Sequence, residues 1–150
     1  MKRAFALFFT LFAQIAVAQT AALPPHVQAY VDYLAQSCSV MEGEFATGEG
    51  FITRVDLDQD DVEDFIVDGT YALCSSSLRL YCTEDIGCEI VSFVGDARHG
   101  LIVLDWDLID IGDRTGLRVR QSGLLLNQPE DKVSDLIWDG ATGAYIVAAY

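Results

Sequence analysis

Six carboxylates fall within nine residues of this chain, at Asp56, Asp58, Asp60, Asp61, Glu63 and Asp64. Three of them alternate, at positions 56, 58 and 60, and the apolar residues Val55 and Phe65 flank the stretch. A calcium loop takes side-chain oxygens from its first, third and fifth positions, a backbone carbonyl from its seventh and a later carboxylate. Counted from Asp56, these are Asp56, Asp58, Asp60, the Val62 carbonyl and Asp64. Crowded carboxylates repel one another unless a cation sits among them, because two unit charges ~4 Å apart cost ~1 kcal/mol even in bulk water and more where water is excluded. The spacing therefore predicts one bound ion. Calcium is preferred to magnesium, since the ligands are many, hard and carried on a flexible loop. The alternative is a solvated acidic turn that binds nothing.

Such a loop must be held at both ends. Phe51-Ile52-Thr53-Arg54-Val55 leads into it and Phe65-Ile66-Val67 leaves it, and both runs read as strands. A strand–loop–strand hairpin differs from the helix–loop–helix of an EF-hand, and Val67 stands where an EF-hand has its twelfth-position glutamate. The sixth position, which ordinarily takes glycine for a sharp turn, is Asp61. Aspartate enters the left-handed conformation more readily than most residues, at some cost.

The run Asp56-x-Asp58-x-Asp60-Asp61-x-x-Asp64, followed by Phe65-Ile66-Val67, resembles the calcium loops of integrin-type propeller repeats, the FG-GAP pattern. It is also similar to exported proteobacterial proteins of uncharacterised function, in which such a loop precedes a cysteine and then a compact cysteine pair, here Cys74, Cys82 and Cys88. The likeness covers roughly residues 51 to 94, with a weaker echo at Trp138-Asp139-Gly140. It implies side-chain ligation by Asp56, Asp58, Asp60 and Asp64 and carbonyl ligation by Val62. A single copy of the loop excludes a whole propeller, because several blades require several repeats.

Around the hairpin, Pro24-Pro25 opens a predicted helix from Pro25 to about Ser37, with Val27, Tyr30, Val31, Leu34, Ala35 and Cys38 on one apolar stripe. Residues 39–50 read as a loop. Strands are predicted at Leu78–Tyr81, Glu89–Val94, Leu101–Trp106, Gly116–Gln121 and Leu124–Leu126, with a connection at Gly95–Gly100. Leu136–Trp138 and Ala144–Val147 form a last hairpin. In Gly116–Gln121, Leu117 and Val119 face inward while Arg118 and Arg120 face out and balance a neighbouring acidic strand. The predicted fold is α+β: an N-terminal helix packed on an antiparallel sheet or meander, stapled by disulfides.

The start of the chain reads as an export signal. Lys2 and Arg3 precede an apolar run from Ala4 to Ala18, ending in a small-x-small cleavage site at Ala16-Val17-Ala18. The run is short for a membrane span of ~20 residues. Residues 1–18 are thus expected to be a signal peptide and 19–150 a single exported domain, periplasmic or extracellular. All four cysteines lie in that domain. An even count in an exported chain predicts two disulfides; three pairings exist, and the preferred one joins Cys38 to Cys74 and Cys82 to Cys88. Without Lys2 and Arg3 the exported part carries 7 basic and 23 acidic residues, a net charge of −16. That field repels nucleic acid and anionic lipid headgroups and attracts cations and basic proteins.

Catalytic signals are absent from the sequence. Ser75-Ser76-Ser77 lacks the glycine frame of a nucleophile elbow. His26 falls in the first helical turn and His99 in a predicted surface turn, each without a partner signal. Asp105, Asp107, Asp110 and Asp113 surround Trp106 but lack metal-loop spacing. The expected function is a non-enzymatic exported domain with a calcium-ordered loop, serving a structural or partner-binding role. The alternative is an acidic inhibitor or sequestering protein for a basic enzyme, similar in kind to a lysozyme inhibitor. A hydrolase with paired carboxylates is the third reading, and no pair stands apart to support it.

Overall fold

The computed structural model describes residues 22–149; the predicted leader, residues 1–18, lies outside the described residues. Helix α1 (Pro25–Val40) starts at a proline, whose missing N–H would have had no intrahelical acceptor in the first turn. It buries Val27, Tyr30, Leu34 and Cys38 along one face and runs three residues beyond the predicted end.

The strands follow as β1 (Phe45–Thr47), β2 (Ile52–Val55) and β3 (Asp64–Asp68), then a 3-10 turn (Gly69–Tyr71) and β4 (Ala72–Cys74). Next come β5 (Cys82–Thr83), β6 (Gly87–Val94), β7 (Ala97–Val103), β8 (Asp105–Ile111) and β9 (Arg114–Gln121). A short helix α2 (Gly123–Leu126) precedes β10 (Lys132–Asp139) and β11 (Ala144–Val147). All pairings are antiparallel. One sheet joins β2, β3 and β6, with β5 and β7 also on β6; a second runs β11-β10-β9-β8; β1 and β4 form a two-stranded ribbon. The α+β architecture with two disulfides is the one expected.

Alternation along β3 and β6 sorts the core into two layers. Phe65, Val67, Val91 and Phe93 pack with Val27, Tyr30 and Leu34 of α1. Ile66, Ile90 and Val94 pack the other way, against Leu117, Val119, Leu136 and Trp138 of the second sheet. The first sheet is therefore sandwiched between the helix and the second sheet. Each fully buried aliphatic side chain in these layers contributes ~1.5–3 kcal/mol. β3 is buried at all five positions, including both of its aspartates.

Both disulfides take the preferred pairing, Cys38–Cys74 and Cys82–Cys88. The first ties the end of α1 to β4. Gly43 lies against it: a Cβ there would sit 2.5 Å from the Cys74 Sγ and 2.7 Å from the Cys38 Sγ, so only glycine fits without a shift.

Several predicted segments differ. Residues 39–50 are not wholly loop, since Phe45–Thr47 pairs with Ala72–Cys74. Leu78–Tyr81 is not a strand: it lies in turns, with Leu78 fully presented to solvent, and the pairing falls one step later at Cys82–Thr83. The connection at 95–100 shrinks to Gly95-Asp96, because Gly95 adopts φ +52° and closes the hairpin early. The run Leu101–Trp106 splits at Leu104, where the chain leaves the first sheet and enters the second. Leu124–Leu126 is helical, not a buried strand, and Leu124 is 71% exposed. Ser122 caps that turn at its start by accepting from the Leu124 amide, and Asn127 ends it in the left-handed region. Among the described residues, no helix is long and apolar enough to cross a membrane.

Candidate metal centre

The acidic loop is the connection of the β2–β3 hairpin, closed by the Val55–Asp64 pair. Leu57 anchors it. This side chain stands between two aspartates in the sequence yet is fully buried in the layer between the sheets. Its backbone N–H donates to Asp64 Oδ2 at 2.8 Å, and the Gly95 N–H donates to Asp64 Oδ1 at 3.2 Å. Asp64 is thus fixed from both sides, and it is only 3% exposed.

The rest of the turn is built by its own carboxylates. Asp56 accepts from the Gln59 N–H at 2.7 Å and from the Asp61 N–H at 3.1 Å, one bond to each oxygen. Asp60 accepts from the Val62 N–H at 2.8 Å. Gln59 and Asp61 take left-handed conformations, φ +65° and +64°, so the sixth-position aspartate adopts the backbone that glycine ordinarily supplies. The Gln59 side chain donates to the Asp113 carbonyl at 2.6 Å, tying the loop to the β8–β9 turn.

This scaffold brings together three of the predicted ligands. One carboxylate oxygen from each of Asp56, Asp58 and Asp64 lies within 4.8 Å of the other two. Asp60 is exposed and outside that group, although its charge adds to the field felt by Asp58 and Asp64. Val62 lies on the exposed rim of the turn. Burial pushes the Asp58 carboxyl above its ordinary value, and the charges of Asp60 and Asp56 push it further. Burial also raises Asp64, while the Leu57 and Gly95 amides pull it back down. Asp58 Oδ1 is buried and has no hydrogen-bond partner. A buried polar oxygen without a donor is costly, and a cation among the three carboxylates would supply the missing partner. The donor set, three hard oxygens on a loop that keeps further lone pairs free, could hold a hard cation.

The chain matches no family model, no curated protein and no solved structure.

The remaining candidates have structural employment. Arg118 makes a two-pronged contact with Asp135, at 2.8 and 2.7 Å, and Arg120 reaches Asp131 at 3.3 Å, across the β9–β10 pair as expected. His99 is in β7 rather than in a turn, with its ring edge-on to Tyr145 at 5.5 Å. His26 lies tilted against Phe93 at 5.6 Å. The serine run wraps the first disulfide: Ser75 Oγ accepts from the Glu44 N–H, and Ser76 Oγ touches Cys74 Sγ at 3.3 Å.

Sequence reasoning missed two parts of this region. One is the burial of Leu57, whose signal was the apolar residue between alternating carboxylates. The other is Asp68, which lies four residues after Asp64 and hence on the same face of β3. It accepts from the Trp106 indole Nε1–H at 2.7 Å and from the Thr70 N–H at 2.7 Å.

Proposed function

We propose that the β2–β3 turn is a calcium site and that the protein is a non-enzymatic exported domain whose partner-binding or structural role depends on that ordered hairpin. The observation that carries this reading is the buried, partnerless Oδ1 of Asp58, set among the oxygens of Asp56 and Asp64. The FG-GAP-like spacing favours calcium, and the two disulfides accord with an oxidising compartment. In this reading the ion neutralises the carboxylates and holds the turn against the start of β3. It stabilises the folded protein by RT ln(1 + [L]/Kd).

Calorimetric titration of chelator-treated protein with calcium and with magnesium tests this directly. One saturable site that prefers calcium is the expected result. No heat with either ion, together with an unchanged melting temperature, would remove the metal from the account.

A further inference from the structure

The second sheet ends at β8. This strand pairs with β9 on one side, and among the described residues no strand pairs with its other edge. The two-residue turn Gly112-Asp113 closes the β8–β9 hairpin on the Ile111–Arg114 pair. Hydrogen-bonded pairs alternate from there, so Trp106, Leu108 and Asp110 aim their backbone N–H and C=O groups at the free edge. The Trp106 N–H finds its acceptor there in the neighbouring side chain, Asp105 Oδ1 at 3.0 Å.

The first sheet reaches past this edge. A cleft of about 460 Å3 runs along it, with residues 105–108 of β8 on one wall and Gly50, Thr53, Asp68 and Tyr71 on the other. Leu108 marks the gap: it faces the same way as its fully buried partner Leu117, yet is 40% exposed. A strand laid beside β8 would have its inner side covered and its outer side in water, which is the setting for alternating apolar and polar residues.

The outer side sets the charge of the occupant. Asp105 and Asp107 point outward, on the side of Arg120 and Arg118, whereas Trp106 between them points inward to Asp68. The two arginines reach away from β8, to Asp131 and Asp135. The edge is thus left acidic, in a chain of net charge −14. Charges on an edge strand turn away unwanted strands. These turn away an acidic strand, a second copy of this chain included, whereas opposite charges across a strand pair attract.

We infer that β8 is a docking edge for an extended, basic segment of another protein, which adds a fifth strand to the second sheet. Its apolar residues enter the cleft beside Leu108, and its alternate lysine or arginine residues lie beside Asp105 and Asp107. This rests on the partner-binding reading above but not on the metal, so it is tested in chelator and its failure leaves calcium binding untouched.

The test is an amide titration of the 15N-labelled protein with the capped peptide Thr-Lys-Val-Lys-Val-Lys-Thr. One control carries glutamate in place of lysine. A second is N-methylated at every lysine and valine and cannot donate to β8. The basic peptide should shift the Leu108 and Asp110 amides saturably and leave those of β11, at the other end of the sheet, in place; neither control should do so. Asp107→Lys alters an exposed position and should weaken binding by ~3-fold or more. Asp32→Lys makes the same charge change on exposed α1 surface, on the far side of the first sheet, and should weaken it less. Unmoved β8 amides, an equal response to the N-methylated copy, or equal weakening by the two variants would overturn the proposal. So would a dimer in sedimentation that the peptide fails to dissociate, since the edge would then belong to a second copy.

Discussion

Asp64 and Asp68 stand at the two ends of the same five-residue strand, both buried and both turned toward the second sheet. Asp64 is gripped by the Leu57 and Gly95 amides, and Asp68 by the Trp106 indole and the Thr70 amide. One rigid strand thus carries a fixed carboxylate of the acidic loop at one end and the acceptor of the Trp106 indole at the other.

Asp58→Asn separates metal binding from folding. Asp58 Oδ1 has no donor to lose, so the metal-free variant should be as stable as the parent or slightly more so, through relief of repulsion. In the parent, calcium at ~100-fold above Kd should add ~2.7 kcal/mol, and the variant should lose most of that gain. Melting curves with calcium and with chelator check both halves. A calcium-induced rise retained in full by the variant would exclude Asp58 as a ligand.

The pH response should change sign with the metal. Asp58 and Asp64 have carboxyls raised above 3.8, chiefly by burial, so the metal-free folded state holds their protons more tightly than the unfolded chain does. Their contribution to stability is fully present below that value and is lost as pH climbs through the raised values. Calcium competes with the same protons, so its stabilisation should grow over that window. Melting temperatures across the mildly acidic range, with and without calcium, should diverge as pH rises. Parallel curves would contradict the assignment.

Leu57→Ala should damage both fold and site. Removing a fully buried leucine costs ~2–5 kcal/mol. The same side chain pins the loop whose amide holds Asp64. Denaturant unfolding should show the loss, and calcium affinity in the folded fraction should fall with it. An unchanged affinity would mean that the loop is shaped independently of its anchor.

The disulfides should differ in weight. Cys38–Cys74 spans 36 residues and Cys82–Cys88 spans 6. By loop-closure entropy, removing the first pair costs ~4 kcal/mol and the second ~2 kcal/mol. Double serine variants of each pair, compared by urea unfolding, would reveal the order.

What could be read from the chain beforehand was set by local rules. The apolar stripe of α1, the hairpin around the carboxylates and the inward Leu117 and Val119 each follow from periodicity within a few residues. The disulfides followed because Cys82 and Cys88 are near neighbours and the remaining pair had only one choice left. Other parts depended on distant contacts. Leu124–Leu126 resembles a buried strand by hydrophobicity alone, yet the Ser122 and Asn127 caps make it a turn of helix on the surface. Leu101–Trp106 is continuous in composition, and only the layering of two sheets breaks it at Leu104. Within the site, the carboxylate spacing was legible, but the exclusion of Asp60 from the convergent group and the inward swing of Leu57 depend on where the second sheet lies.

The polar residues between the sheets have one more effect. Tyr145 Oη donates to Ser92 Oγ at 2.8 Å near the middle of the interface, with Trp106 on Asp68 toward one end and the loop seated over Asp64 at the other. Greasy layers can slide past one another at little cost, whereas these contacts act as pegs in fitted holes. A slip by one residue would strand several polar groups in a dry seam simultaneously, so the two sheets are keyed to a single alignment.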